Sequence, residues 1–357
     1  MIKARGLTIL ALAMAFLVCL SSCGDSKRKQ FEKGLESLAG NINKAFVHQR
    51  EITVALALRI EKLYADKALF DLDERSLAKV VGGSFSFFNG QYLNHREDEG
   101  LSMTLFDATG GFTNVGRSLK EEAVLLGRLG PDMEADFHSR PYFADIAVFA
   151  LRSKDEFIAM NYPFLDYASL IPNPAQIHAA LGKDFGNFPF ISPVLKLNNP
   201  AGGQVWPKDI YVAMAGEGIL FDCWAPVYSS EKPDELLAVA DINLNIEKFG
   251  RELFRGIEGI FLLATPSGNI AGASEPAISE LALLIPSFYY LKQMHLPKGL
   301  GDAFKLSSYG EEGIVSLGKR IAAGESEFRV KIKGTNYLAF TRDIPEVGWK
   351  LIGLIKI

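Results

Sequence analysis

The residues best suited to chemistry in this chain are spaced in ways that exclude most of it. Five histidines, His48, His95, His138, His178 and His295, stand far apart. None has a second His three to five residues away, or a Cys partner, as a zinc site requires. Asp71-Leu72-Asp73-Glu74 is too short for a calcium loop of the helix-loop-helix kind. Gly216-Glu217-Gly218 is not followed by a helix start, so it is not a phosphate-binding loop. No Gly-x-Ser-x-Gly elbow is present. An enzyme, a resident cofactor and a metal centre are therefore not expected. Three cysteines remain. Cys19 lies in an apolar run, and Cys223 sits in a strand-like stretch where a buried, inert thiol is expected. Cys23 follows directly where the apolar run stops.

That position gives Cys23 its meaning. Lys3 and Arg5 precede an apolar run from Leu7 to Leu20, and Ser21-Ser22 follow it. A basic start, an apolar stretch and small residues before a cut site describe a secretory signal over residues 1–22. The run falls short of the ~20 residues that a membrane-spanning helix needs. Leu20-Ser21-Ser22-Cys23-Gly24 also resembles the bacterial lipobox. The resemblance implies that Cys23 is acylated and begins the mature chain. The chain is then expected in the cell envelope, on the periplasmic or extracellular side of the inner or the outer membrane.

Without residues 1–22 the chain keeps enough length for two domains of ordinary size. Its formal net charge of −4 falls further with the loss of Lys3 and Arg5, and no long basic run is present. That excludes a nucleic-acid footprint. It also leaves the membrane tether to the acyl chains alone. Residues 23–30 are polar and read as a tether. From Phe31, apolar residues including Leu35, Leu38, Ile42, Phe46, Ile52, Leu56, Ile60 and Leu63 recur at spacings that predict one amphipathic helix over 31–66. Leu101 to Phe112 reads as strand, turn and strand. Arg117–Arg128 and Asp136–Ser153 read as helices, with a short one near Ala175–Leu181. Strands are expected at Ile210–Ala215, Gly218–Val227 and Leu236–Asn243. A second round follows: a helix at Ile246–Phe254, strand-turn-strand from Ile260, a helix at Ala277–Met294, and strands at Glu327–Lys333, Tyr337–Arg342 and Trp349–Ile357. The expected class is α+β, with antiparallel sheets.

Several stretches, in this order, resemble the double Cache family of extracytoplasmic sensor domains. They are the long leading helix, Leu105-Phe106-Asp107-Ala108-Thr109-Gly110, Ser139-Arg140-Pro141-Tyr142-Phe143, Asn199-Pro200, Trp206, Tyr211, Ala225-Pro226-Val227-Tyr228, Val239-Ala240-Asp241-Ile242, and Val347-Gly348-Trp349-Lys350-Leu351. The resemblance implies two PAS-like antiparallel-sheet modules packed along one long N-terminal helix. The membrane-distal module, residues 67–245, would hold the ligand pocket, and residues 246–357 would form the membrane-proximal module.

In the amino-acid-binding branch of that family, an Arg on the pocket helix meets the ligand carboxylate and a strand Asp meets the amine. The matching positions here are Arg140, with Tyr142 and Phe143 after it, and Asp241. Tyr211 would add a polar contact and Trp206 a wall. An Arg fork suits a carboxylate, and an opposing Asp completes the recognition of a zwitterion. The plainer roles of the same residues are a helix cap or a pair with Asp136 for Arg140, an N-cap for Asp241, and core packing for Tyr142 and Phe143. Two departures from the pattern are Tyr142-Phe143 where the family has Trp-Tyr, and Ala213 where it has a second acid. A small carboxylate or amino-acid-like ligand is implied, with any signal carried by a separate protein. The competing readings are a solute-binding accessory of a transporter and an envelope scaffold without a ligand.

Overall fold

A computed structural model of the chain describes residues 24–66, 86–88, 91–93, 100–107, 117–151, 156–165, 190–213, 217–287, 300 and 302–357. The signal sequence, Cys23, the short helix expected near 175–181 and the turn after Asp107 lie outside the described residues. The chain is α+β, with one long N-terminal helix and two antiparallel sheets. It divides into two compact units: residues 1–47, 208–212 and 246–357 form the first, and residues 48–207 and 213–245 the second.

Helix α1 (Gly24–Ala65) runs through both memberships. It starts earlier than its apolar periodicity does, so most of the polar stretch read as a tether is helical. Arg28 and Glu32 on successive turns pair at 2.8 Å there, an i,i+4 contact of the kind that supports an exposed helix end.

In the first unit, the strands are β9 (Ile260–Ala264), β10 (Ile270–Ala273), β11 (Glu327–Ile332), β12 (Thr335–Ile344) and β13 (Trp349–Lys356), in the sheet order β10-β9-β13-β12-β11. Each neighbouring pair is antiparallel. Lys333 and Gly334, both at positive φ, link β11 to β12 in a two-residue turn, the backbone twist that such hairpins require. One face of the sheet packs on α1: Phe31 stacks on Phe261 with centroids 5.3 Å apart, and Phe46 meets Trp349 edge-on at 5.0 Å. The other face is closed by α5 (Glu275–Leu281) and α6 (Glu312–Ala322), through Ala277, Leu281, Ile314 and Leu317. Ser274 caps α5 and Glu311 caps α6, each side chain accepting from a backbone N–H three residues on. Helix α5 ends at Leu281, short of the expected Met294, because Ala282 turns into the left-handed conformation. The linking helix α4 (Ile246–Phe254) stands where its periodicity places it.

The second unit is built on β1 (Ser86–Phe88), β2 (Gln91–Leu93), β3 (Ser102–Asp107), β4 (Phe143–Leu151), β5 (Glu156–Tyr162), β7 (Ile219–Tyr228) and β8 (Leu236–Asn245). Their order is β1-β2-β3-β5-β4-β8-β7. Strand β6 is only Tyr211–Val212, shorter than the expected Ile210–Ala215, and its segment groups with the first unit. Helix α2 (Arg117–Leu126), a 3-10 turn and α3 (Gly130–Phe137) precede β4. Helix α3 ends at Phe137, and the helix expected over Asp136–Ser153 is instead strand β4. Residues 145–150 are buried without alternation, as befits a central strand covered on both faces. Such a run has no period of two to betray it.

Candidate functional site

Register places an unusual set of side chains on one face of the second unit's sheet. On β8, Asp241 and Asn243 point the same way, two residues apart. Asn243 lies opposite Asp145 on β4 and Asp222 on β7; Asp241 lies opposite Ala147 on β4 and Trp224 on β7. Ala147 in turn lies opposite Asn161 on β5. The face therefore carries a row Asp145–Asn243–Asp222 beside a row Asn161–Ala147–Asp241–Trp224. The opposite face, with Phe143, Ile146, Ile242 and Leu244, is apolar. Gln49 of α1 donates to the carbonyls of Phe221 (3.2 Å) and Ile242 (2.7 Å), tying the helix to β7 and β8.

All the polar members of these rows are buried: Asp145 is 4% exposed, Asp222 0%, Asp241 2%, Asn161 1% and Asn243 5%. Asn243 Nδ2 donates to Asp145 Oδ1 at 2.8 Å and to Asp241 Oδ2 at 3.3 Å, and Asn161 Nδ2 donates to Asp145 Oδ1 at 3.3 Å. These bonds leave Asp145 Oδ2, Asp241 Oδ1 and Asn161 Oδ1 buried without a hydrogen-bond partner among the described residues. Each such atom costs roughly 1–3 kcal/mol while it stays unmatched.

Burial pushes the Asp145 carboxyl up to about 6, against the pull of its two asparagine bonds. Burial also raises Asp241 well above the ordinary carboxylate range, and the charges of Asp222 and Asp145 raise it further, while Asn243 and Trp224 act the other way. Like charges in a low-dielectric site cannot all ionise cheaply. Among the described residues no Lys, Arg or His acts on either carboxyl.

A stability prediction follows from Asp145. Its folded pKa lies above its unfolded value of about 3.9, so the folded state holds the proton more tightly. That stabilisation is complete below about pH 4 and is lost as pH rises through about 6. Unfolding of the wild type and of Asp145→Asn from pH 4 to 7 should show the wild type losing about 2–3 kcal/mol relative to the variant. A difference that stays flat, or grows in favour of the wild type, would contradict this.

The residues expected at the pocket are distributed differently. Asp241 lies inside the polar set. Arg140 is exposed, donates to its neighbour's carbonyl, Ser139 O, at 2.8 Å, and lies close to Tyr142. Asp136 pairs not with Arg140 but with Arg59, at 2.8 Å. Tyr142 is buried edge-on against Phe143, with ring centroids 5.5 Å apart, and burial raises its phenol. Phe143 faces Leu244 on the apolar side, in a strand rather than at the start of a helix. Trp206 lies flat on Phe221 at 5.4 Å, and strand alternation places Phe221 on the face opposite Asp222. Tyr211 is half-buried on β6. Cys223 is a buried thiol on β7.

Asp145, Asp222, Asn161 and Asn243 escaped the sequence reading. A signal was present: an acid flanked by apolar strand residues in Phe143-Ala144-Asp145-Ile146, Leu220-Phe221-Asp222-Cys223 and Val239-Ala240-Asp241-Ile242. Only strand register, which no motif carries, brings the three together.

A separate surface groove of about 430 Å³ runs between α1 (Val54, Ala57, Leu58) and the end of β7 (Val227, Tyr228). Among the described residues its one cation, Lys196, sits over the Tyr228 ring at 4.5 Å. Among the described residues no helix is long and apolar enough to cross a membrane.

No family model matches the chain, and no curated protein matches it. Among solved structures, the chain is similar to the extracellular domain of soHK1S-Z6, described as a histidine kinase, with 15% identity, coverage of 92% of this chain and 95% of that one, and a TM-score of 0.47. It is similar to the periplasmic sensory domain of the Campylobacter jejuni chemoreceptor Tlp1, with 8% identity, coverage of 89% and 91%, and a TM-score of 0.48. It is also similar to the ligand-binding domain of the Pseudomonas fluorescens chemoreceptor CtaA, solved in complex with L-alanine, with 11% identity, coverage of 92% and 96%, and a TM-score of 0.43.

Proposed function

We propose that this chain is a sensor-type, small-molecule-binding module of the cell envelope, held on the membrane by lipid on Cys23 and signalling through a separate protein. Its ligand places an amine against Asp241 and Asp145 on the polar sheet face. The observation that carries this reading is the buried pair Asp145 and Asp241 at the centre of a sheet, each with one carboxyl oxygen that has no hydrogen-bond partner among the described residues. A core built only for stability has no use for them, because an apolar replacement would remove the desolvation cost. A ligand ammonium supplies the donors and the charge that the set lacks. Arg140, at the surface before β4, is the group that would meet a carboxylate if the ligand carries one.

The reading is tested by the melting temperature of the full chain against a panel of small amines and carboxylates. A ligand at a hundredfold excess over its Kd stabilises the folded state by about 2.7 kcal/mol. Amine-bearing compounds should raise the midpoint, and Asp241→Asn should abolish the rise. If only compounds without an amine raise it, the site is elsewhere. The anchor is tested separately: Cys23→Ala should release the chain from membranes or block its processing. A processed, unacylated chain that stays on membranes would refute the lipid tether.

A further inference from the structure

We infer that the groove between α1 and the end of β7 binds a dipeptide-sized apolar peptide by its two charged ends. Every residue lining the groove belongs to the second unit. Ala225 and Val227 line it, and strand alternation puts them on the face opposite Asp222 and Trp224. The groove is therefore separate from the carboxyl rows. It opens where a strand edge fails to close. Trp224 exchanges both backbone hydrogen bonds with Val205, at 2.8 and 2.9 Å. Pro226, two residues on along the same edge, has no N–H with which to continue that pairing. The groove's volume of about 430 Å³ lies within the usual range for small-ligand sites. Leu58 supplies an apolar wall: it is 50% exposed, whereas Leu56 and Ile60 near it on α1 are fully buried.

The positive end of the groove is held in place. The Lys196 ammonium over the Tyr228 ring also donates to Pro200 O at 3.4 Å. The Tyr228 hydroxyl donates to Val194 O, which fixes the ring. Gly202, at φ +69°, makes room for both: a Cβ there would lie 2.9 Å from Lys196 Nζ and 3.2 Å from Tyr228 Cε2. The loop that carries Lys196 is tied down by Asn198 Nδ2, which donates to Ser192 O at 2.7 Å, and by Asn199 Nδ2, which donates to Gly203 O at 2.7 Å. An ammonium has three N–H groups, so Lys196 keeps one for an anionic ligand group. The negative charge is Glu61, which lines the groove from α1. Among the described residues neither Lys196 nor Glu61 has an ion-pair partner, and they do not pair with each other. Gln204 also lines the groove, and its side-chain amide has no hydrogen-bond partner among the described residues. It offers both donor and acceptor, the complement of a peptide group. A free amino acid carries both charges on one carbon. The ends of a dipeptide lie about 7 Å apart, which suits charges presented by two separate elements.

Calorimetric titration of the full chain with L-alanyl-L-leucine, its N-acetyl form, its C-terminal amide and L-leucine tests this. The free dipeptide should bind tightest of the four. Lys196→Met should weaken it about tenfold and leave the amide unaffected. Glu61→Gln, at an exposed position, should weaken it about threefold and leave the N-acetyl form unaffected. Asp241→Asn should leave the affinity for the dipeptide unchanged. Should Lys196→Met fail to fold, Glu61→Gln carries the comparison. Equal affinity for the free and both capped dipeptides, or no binding of any of them, would overturn the inference. So would binding that survives both groove variants and is lost in Asp241→Asn, which would place the peptide on the polar sheet face. Sedimentation that shows a dimer, dissociated by Leu58→Glu, would also overturn it and give the groove to a second copy of the chain.

Discussion

Replacing Asp241 with Asn should raise the stability of the ligand-free protein while destroying its response to amines. Most substitutions of a buried, hydrogen-bonded residue destabilise, so the sign is the informative part. Asp241 is 2% exposed, has one oxygen without a partner among the described residues, and is opposed by the charges of Asp222 and Asp145. Near neutral pH the folded state must keep a proton on Asp241 that the unfolded chain would release, or else bury the charge. Asn has the same shape, still accepts from Asn243, and cannot ionise. The gain should grow as pH rises, because the folded state holds back a proton that the unfolded chain releases, and it should appear as a raised melting midpoint. A group retained at a cost to stability is the mark of a functional site. Loss of stability in the variant, with amine binding unchanged, would make Asp241 a structural acid.

The largest destabilisation is expected at Trp349. Its side chain is 0% exposed and meets Phe46 of α1 edge-on at 5.0 Å. Phe249 of α4 packs on Phe46 in turn, with centroids 5.3 Å apart. Trp349→Ala leaves a cavity among rings from three elements, which rigid neighbours cannot fill. A loss of about 3–5 kcal/mol is expected in chemical unfolding. Binding at the polar sheet face of the other unit should keep its affinity wherever the variant remains folded. A loss under 1 kcal/mol would mean that this face of the sheet is less tightly packed than the geometry shows.

The contrast between these two residues shows what the sequence could reveal. Trp349 opens a strand after a Pro345-to-Gly348 turn, and its burial follows from local pattern alone. The same holds for β11, whose residues alternate exposed and buried from Glu327 to Ile332, although the turn after it is Lys333-Gly334 and not the expected Gly334-to-Asn336, because Thr335 already pairs with Ile332. Strand β4 was hidden for the opposite reason. Phe143, Ile146, Phe149 and Ala150 fall at near-helical spacing, and a strand buried on both faces shows no alternation to contradict it. Strand β5, from Glu156 to Tyr162, has the same unbroken burial and gave no signal. Asp241 was legible because a family pattern pointed to it. Asp145 and Asp222 became legible only when β4 and β7 were found on either side of β8. Their meaning lies in pairing register, which is a property of the fold and not of any local stretch.

The central claim is that the buried carboxyl set receives an amine. The most direct measurement is the thermal midpoint of the full chain at pH 7.5 across a concentration series of 1,4-diaminobutane, 1-aminobutane and L-alanine, in the wild type and in Asp241→Asn. The account predicts a wild-type midpoint that climbs with the logarithm of concentration for at least one of the three amines, and a variant that starts higher and stays flat. Parallel rises in both proteins, or a wild type unmoved by all three alongside a variant that melts earlier, would contradict it.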